Sequence, residues 1–186
     1  MHVLVISGSR NPEGQTARAL NALLLGVKDA GGTGETIFLP AIDIRLCRQC
    51  DKNGWGSCIS EHKCVIEDDF AAMVGKLKAA DAAVFATPVY FGDLSESLRA
   101  FLDRLRRCML NVSGPGGVAG KSALGICVAG GGGGGAPSCV SRLQGILETC
   151  GFDVVDLMPV RRQNLEMKCR VLRETGKWLV QRPGTK

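Results

Sequence analysis

Gly8-Ser9-Arg10-Asn11-Pro12-Glu13-Gly14-Gln15-Thr16 separates an apolar run, Val3-Leu4-Val5-Ile6, from a helical pattern, Ala17-Arg18-Ala19-Leu20-Asn21-Ala22-Leu23-Leu24-Leu25. A buried strand therefore ends in a loop of small and hydroxyl residues that opens a helix. Free N–H groups at a helix start, with the helix dipole behind them, attract a phosphate. Ser7, Ser9 and Thr16 add hydroxyl donors. The stretch reads as a phosphate-binding turn at the top of a parallel sheet. The plainer alternative is a Gly/Ser turn with an ordinary helix N-cap.

Outward from this loop, strand-like runs recur at 3–7, 36–39, 82–86, 123–129 and 152–157. Helical patterns occupy 16–30, 68–80, 94–108, 138–150 and the region near 164–181. Alternating strands and helices predict a parallel sheet covered on both faces, and the weak polar alternation of the strands agrees with burial on both sides. The expected fold class is α/β: a flavodoxin-like, doubly wound, five-stranded parallel sheet with helices on both faces. Gly31-Gly32-Thr33-Gly34 reads as a helix stop and turn, and the tail 181–186 as frayed. With no linker or internal repeat, residues 1–186 are expected to form one domain, with 40–66 as a cysteine-rich loop insertion.

The loop matches neither common nucleotide fingerprint. Five residues separate Gly8 from Gly14, and Gln15 stands where a P-loop has its lysine. The G-x-G-x-x-G spacing of a dinucleotide fold is also absent. A terminal phosphate held by amides and hydroxyls remains, as flavin mononucleotide (FMN) carries. In a doubly wound sheet two further strand-end loops converge on the first: Thr87-Pro88-Val89-Tyr90-Phe91-Gly92 and Gly130-Gly131-Gly132-Gly133-Gly134-Gly135. Pro88 stiffens the first turn, the backbone near Val89 and Tyr90 offers donors, and Tyr90 beside Phe91 suits stacking. Six consecutive glycines are entropically expensive to order, which close approach to a planar ligand would justify; a flexible loop is the alternative.

The chain has 186 residues, 45% of them hydrophobic, and a formal charge of +5. That suits a globular domain with a sizeable core. No stretch approaches the ~20 apolar residues of a membrane span, so a cytoplasmic protein without a membrane partner is expected. The local basic concentrations, Arg104/Arg106/Arg107 and Arg161/Arg162, lack interleaved aromatics and read as solvated faces, so no nucleic-acid partner is expected. Nine cysteines are present. Five dispersed ones, Cys108, Cys127, Cys139, Cys150 and Cys169, read as small buried hydrophobes.

Taken in order, Gly8-Ser9-Arg10…Gly14-Gln15-Thr16, Thr87-Pro88-Val89-Tyr90-Phe91-Gly92-Asp93-Leu94-Ser95, Leu98 and Phe101-Leu102-Asp103-Arg104 resemble the NADPH-dependent FMN reductase family, which includes the iron–sulfur flavoproteins. The resemblance covers nearly the whole chain. It implies bound FMN, with Ser9, Arg10, Gly14, Gln15 and Thr16 at the phosphate, Pro88, Val89, Tyr90, Phe91 and Gly92 at the ring and ribityl chain, and Gly130, Gly131 and Gly132 at the pyrimidine edge. It implies an oxidoreductase passing electrons from NAD(P)H, a transient co-substrate, to a quinone, a flavin or another small-molecule or protein acceptor. It also implies a homodimer or homotetramer. A non-enzymatic FMN electron carrier is the competing reading. His2 and His62 lie far in sequence from the strand-end loops, so no catalytic acid or base is assigned.

Cys47, Cys50, Cys58 and Cys64 lie between the second strand and the helical region that starts near Asp68, where iron–sulfur flavoproteins carry a compact four-cysteine motif for a 4Fe–4S cluster. Four thiolates within about twenty residues are chemically sufficient. Here Asp51-Lys52-Asn53-Gly54-Trp55-Gly56-Ser57 lengthens the gap between Cys50 and Cys58. That gap, with Trp55 suggesting a packed loop, speaks against a stable cluster. Zinc, with His62 as an alternative ligand, and a set of unligated cysteines are the other readings.

Overall fold

A computed structural model of the protein describes residues 1–51, 53–110, 112 and 117–182. Its elements are β1 (His2–Ser7), α1 (Gln15–Asp29), β2 (Thr33–Phe38), α2 (Ser57–Ser60), α3 (Phe70–Ala79), β3 (Ala82–Pro88), α4 (Glu96–Met109), β4 (Ser122–Ala129), α5 (Ala136–Thr149), β5 (Asp153–Arg161) and α6 (Leu165–Gln181). The strands pair in parallel in the order β2-β1-β3-β4-β5. This is the doubly wound order whose ligands sit beyond the carboxyl ends of β1, β3 and β4.

Alternation within each strand sorts the core into two layers. Leu4, Ile6, Ala83, Phe85, Ala123 and Cys127 face α3, α4 and α5, whose Met73, Leu98, Phe101, Leu102 and Leu143 pack against them. Val3, Val5, Val84, Ala86, Ile126, Val128 and Val160 face the opposite way, onto Leu20, Leu23 and Val27 of α1 and Leu172 and Leu179 of α6. Both faces are apolar, which explains why the strands read as continuous hydrophobic runs.

Several boundaries depart from the sequence reading. Thr33 and Gly34 belong to β2, where they pair with His2 and Val3, instead of forming a turn. Strand β5 runs on through Met158, Val160 and Arg161, because Ile126 to Ala129 of β4 pair with those added residues. Helix α5 begins at Ala136, with Pro137 in its first turn, where a proline costs no hydrogen bond. Helix α4 begins at Glu96 and not Leu94, because Ser95 caps it by accepting from the Leu98 amide. The short α2 lies inside the cysteine-rich segment and was not anticipated. Residues 183–186 of the expected frayed tail lie outside the described residues. Among the described residues, no helix is long and apolar enough to cross a membrane.

Candidate functional site

The first strand-end loop leaves its helix start open. The Ser9 hydroxyl is occupied within the loop, accepting the Asn11 amide (3.2 Å) and lying 3.3 Å from the Asn11 carbonyl oxygen, to which it donates. The Asn11 carboxamide receives the Glu13 amide at 2.9 Å. Gly14, the N-cap residue, offers no side chain to α1. The amides of Gln15, Thr16 and Ala17 therefore donate to none of the described residues. Thr16 is buried, and its hydroxyl is not among the hydrogen-bonded groups. The Gln15 side-chain oxygen is buried without a partner. The unmet donors at this helix start, the three amides and the Thr16 hydroxyl, suit an anion, whereas the Gln15 oxygen is an acceptor and does not. Arg10 is exposed at the rim.

In the second loop, Tyr90 and Asp93 exchange two backbone hydrogen bonds (3.1 and 2.9 Å), closing a tight turn over Phe91 and Gly92. Both central residues have positive φ, 52° and 77°, as in a type I′ turn. The donors expected from the backbone near Val89 and Tyr90 are therefore not the amides of those two residues. Val89 N–H is spent on the Val128 carbonyl and Tyr90 N–H on Asp93. The amides left free are those of Phe91 and Gly92. Phe91 is fully exposed, in a conformation disfavoured for a bulky residue, and Tyr90 is 45% exposed beside it.

Asp93 anchors this turn to two helices. Its carboxylate accepts from Arg99 of α4 and, at 2.8 Å, from Arg142 of α5. Burial opposes its ionisation, but the Leu94 amide and the two guanidinium groups outweigh that and hold its carboxyl below the usual range. Asp93 is thus a fixed anion rather than a proton carrier.

The glycine loop is open where a flat ligand needs space. A Cβ added at Gly130, Gly131, Gly132 or Gly134 meets nothing within 4 Å. At the far end Gly135 has φ +80°, and a Cβ there would lie 2.7 Å from Gly92 Cα. The second and third loops therefore touch backbone to backbone. Gly135→Ala should cost roughly 2 kcal/mol from the left-handed conformation alone. For a chain of this size that lowers the melting temperature by about 4–8 °C. Gly134→Ala, with open space around it, should change it little. Equal melting temperatures for the two variants would show that the loops do not meet there.

The cysteine segment leaves the fold through a clipped base. The Asp43 amide donates to the Asp69 carboxylate (2.8 Å), the Asp69 amide returns to the Asp43 carbonyl (3.0 Å), and the Arg45 amide donates to Asp68 (2.9 Å). Arg104 of α4 seals this base. It is 1% exposed and bonds the Asp68 carboxylate through both terminal nitrogens, at 2.6 and 2.9 Å, and the Arg45 carbonyl at 3.0 Å. Arg104 is therefore not the solvated basic residue expected from the sequence, because Asp68, distant in sequence, pairs with it in the interior. The arginine one turn on, Arg107, donates to the Gly54 carbonyl (2.6 Å) and stacks 4.6 Å from the Trp55 ring centroid. The seven-residue insertion thus folds back onto α4.

The result is that Cys47, Cys50, Cys58 and Cys64 line one hollow, together with Arg104, Arg107 and a fifth thiol, Cys108. Sequence reading placed Cys108 among inert core residues. Its i+4 relation to Arg104 on α4 was the available signal, since it puts both on one helix face. Burial first, and then the neighbouring Cys64 and Cys58, push the Cys108 thiol up to about 12. Cys108 is thus a protonated wall of the hollow. Among the described residues no three thiol, imidazole or carboxylate groups converge closely enough for a single metal ion. A tetrahedral zinc needs its sulfurs about 3.8 Å apart, given a Zn–S bond of about 2.3 Å; a polynuclear iron–sulfur group takes thiolates spread more widely around it. The hollow has room for about one water, about 20 Å³, so a larger occupant requires its walls to move apart. The remaining dispersed cysteines match expectation at Cys127, Cys139 and Cys150, which are buried, while Cys169 is half-buried.

Comparison with known proteins agrees with this arrangement. Residues 1–159 match the family model described as NADPH-dependent FMN reductase. An iron-sulfur flavoprotein of Methanocaldococcus jannaschii is 36% identical over 106 residues, 57% of this chain and 52% of that protein. One from Methanosarcina thermophila is 32% identical over 104 residues, 56% of this chain and 52% of that protein. The chain spans about half the length of the curated relatives it matches. Among solved structures, an NAD(P)H:quinone oxidoreductase from Methanothermobacter marburgensis superposes with a TM-score of 0.71 at 19% identity, covering 100% of this chain and 99% of that one. An archaeal flavodoxin does so with a TM-score of 0.59 at 14% identity, covering 98% and 100%. These likenesses establish the flavodoxin-like fold.

Proposed function

The chain belongs to the NADPH-dependent FMN reductase family, and we propose that it is an FMN-binding oxidoreductase passing electrons from NAD(P)H to a quinone, a free flavin or another acceptor. We take residues 1–186 as one flavodoxin-like domain with 40–66 as a loop insertion, working as a homodimer or homotetramer. The observation that carries the reading is the set of unspent amides at Gln15, Thr16 and Ala17, set in the loop that leaves the same end of the sheet as the open Gly130–Gly132 backbone. FMN, when bound, supplies the hydride-accepting ring.

In this reading the α1 start receives the terminal phosphate, with Ser9, Arg10, Gly14, Gln15 and Thr16 around it. Thr16 adds a hydroxyl donor, and the α1 dipole favours the anion. Pro88, Val89 and Tyr90 form the wall beside the ring and ribityl chain, while the Phe91 and Gly92 amides point donors at its edge. Gly130, Gly131 and Gly132 let the backbone approach the flat ring closely. Asp93, held by Arg99 and Arg142, keeps the turn in place. The nicotinamide, lacking a second dinucleotide motif to hold it, docks transiently on the exposed ring face. Anaerobic stopped-flow mixing of the FMN-loaded protein with NADPH or NADH should bleach the flavin band rapidly. Absence of bleaching by either nucleotide overturns the reductase reading.

A second reading, an electron carrier with FMN and an iron–sulfur cluster, is favoured by the shared hollow of Cys47, Cys50, Cys58 and Cys64. Two relatives bear the name iron-sulfur flavoprotein, and the thiol set with two guanidinium groups suits an anionic cluster. This reading requires about four irons per chain in anaerobically purified protein, and bleaching by a reduced ferredoxin but not by NADPH.

A further inference from the structure

One nitrogen of the Arg104 guanidinium, Nε, is left without a partner. Both terminal nitrogens are spent on Asp68, and one also on the Arg45 carbonyl. The Phe70 ring covers one face, its centroid 4.1 Å away. The remaining nitrogen, Nε, is buried, and its N–H has no acceptor. A buried donor on a cation is costly to leave unmet, and native structures rarely do so. Arg104 lines the hollow that the four candidate ligand cysteines share, and the Cys64 thiol lies beside its guanidinium.

We propose that Arg104 is a positioning residue for the sulfur-bound occupant of this hollow: its Nε–H donates to a sulfur of an iron–sulfur cluster held by Cys47, Cys50, Cys58 and Cys64. The inference rests on the cluster reading given above. Two consequences follow from the chemistry. A hydrogen bond and a positive charge beside the sulfurs stabilise the more negative, reduced form, so the cluster's reduction potential is raised. Because the same side chain locks Arg45 and Asp68 at the base of the loop, the cluster is also held in place. Asp68 supplies the counter-charge that makes the buried guanidinium tolerable, which leaves Nε free to serve the occupant.

The test uses full-length protein reconstituted anaerobically with iron and sulfide and loaded with FMN. Arg104→Lys keeps a cation for Asp68 but has no Nε–H in that position. It should retain FMN and iron, show a more negative cluster midpoint in spectroelectrochemical titration, and lose iron to a chelator about tenfold faster. If Arg104→Lys does not fold, the neutral pair Asp68→Asn with Arg104→Gln removes both buried charges, and its midpoint should move the same way. A purely structural Arg104 would lower the unfolding temperature and leave the midpoint in place; an unchanged midpoint in a folded, iron-loaded variant overturns the inference and spares the cluster reading. A wild-type protein that takes up no iron overturns both.

Discussion

Replacing Ser9 and Thr16 together by alanine should strip FMN from a protein that remains folded. Thr16 is buried at the α1 start, and in the proposed complex its hydroxyl donates to the phosphate. Ser9 contributes differently: its hydroxyl accepts the Asn11 amide (3.2 Å) and stays close to the phosphate loop's open amides. Losing it frees the loop that presents those amides. A hydrogen bond to a charged group is worth about 1.5–3 kcal/mol, so loss of the Thr16 donor alone should raise Kd by about one to two orders of magnitude, and the freed loop adds to that. Flavin fluorescence quenching measures it. A Kd within about threefold of the wild type would put the phosphate elsewhere. Neither residue supports the strand core, so circular dichroism and the melting temperature of the apoprotein should barely move.

What could be read from the sequence divides along a physical line. The parallel five-stranded sheet, the two-faced core and the three strand-end loops were legible because they follow from local patterns: apolar runs for β1, β3 and β4, a hydroxyl-rich turn before α1, a Pro-containing turn after β3 and six glycines after β4. The fate of individual donors was not. The backbone near Val89 and Tyr90 reads as a source of donors, but which amide there remains free depends on the Val128 carbonyl and on a turn closed by Asp93. Arg104 looked like one of a basic cluster. Its partner Asp68 lies 36 positions away, and no periodicity links the two. The insertion at 51–57 looked like a spacer pushing Cys50 from Cys58. Contact of Gly54 and Trp55 with Arg107 brings them onto α4, and that contact is tertiary. Cys108 joins the hollow for the same reason, because α4 carries it there.

Helix α4 joins the two regions that these residues define. Its cap, Ser95, takes its place by donating its amide to Thr87 at the end of β3 (2.9 Å), and Ser97 donates to the Gly8 carbonyl of the phosphate loop (3.1 Å). Arg104, Arg107 and Cys108 face the cysteine hollow two to three turns further on. From Glu96 to Cys108 the helix rises about 18 Å at about 1.5 Å per residue. The hollow and the strand-end loops are therefore separate sites on one rigid rod. A substitution that shifts α4 along its axis should disturb both, whereas one confined to the thiols should leave FMN in place.

Gly26→Ala should destabilise the fold by about 3 kcal/mol or more, at the upper end of overpacking costs, although alanine is the better helix former by about 1 kcal/mol. Helices α1 and α6 cross with their backbones in contact. A Cβ at Gly26 would lie 1.8 Å from the Arg173 carbonyl oxygen, and one at Gly176 would lie 2.2 Å from that of Leu23. Neither obstacle is a side chain that can swing away, so the helices must separate. Separation uncovers Leu20, Leu23, Val27, Leu172 and Leu179, which close the second core layer over Val3, Val5 and Val84. At about 2–4 °C per kcal/mol for a chain of this length, the melting temperature should fall by about 6–12 °C or more. Gly75→Ala provides the opposite sign. Gly75 lies within α3, and a Cβ there meets nothing within 4 Å, so helix propensity decides and stability should rise by up to about 1 kcal/mol. Thermal unfolding of the two variants beside the wild type measures both shifts. A Gly26→Ala protein as stable as the wild type would mean that α6 does not cross α1 at this point. The consequence reaches the site, because in the proposed complex α1 presents its first turn to the phosphate, and α6 packs against α1. Even the fraction of Gly26→Ala that folds should bind FMN less tightly, with Thr16 and Ser9 unchanged.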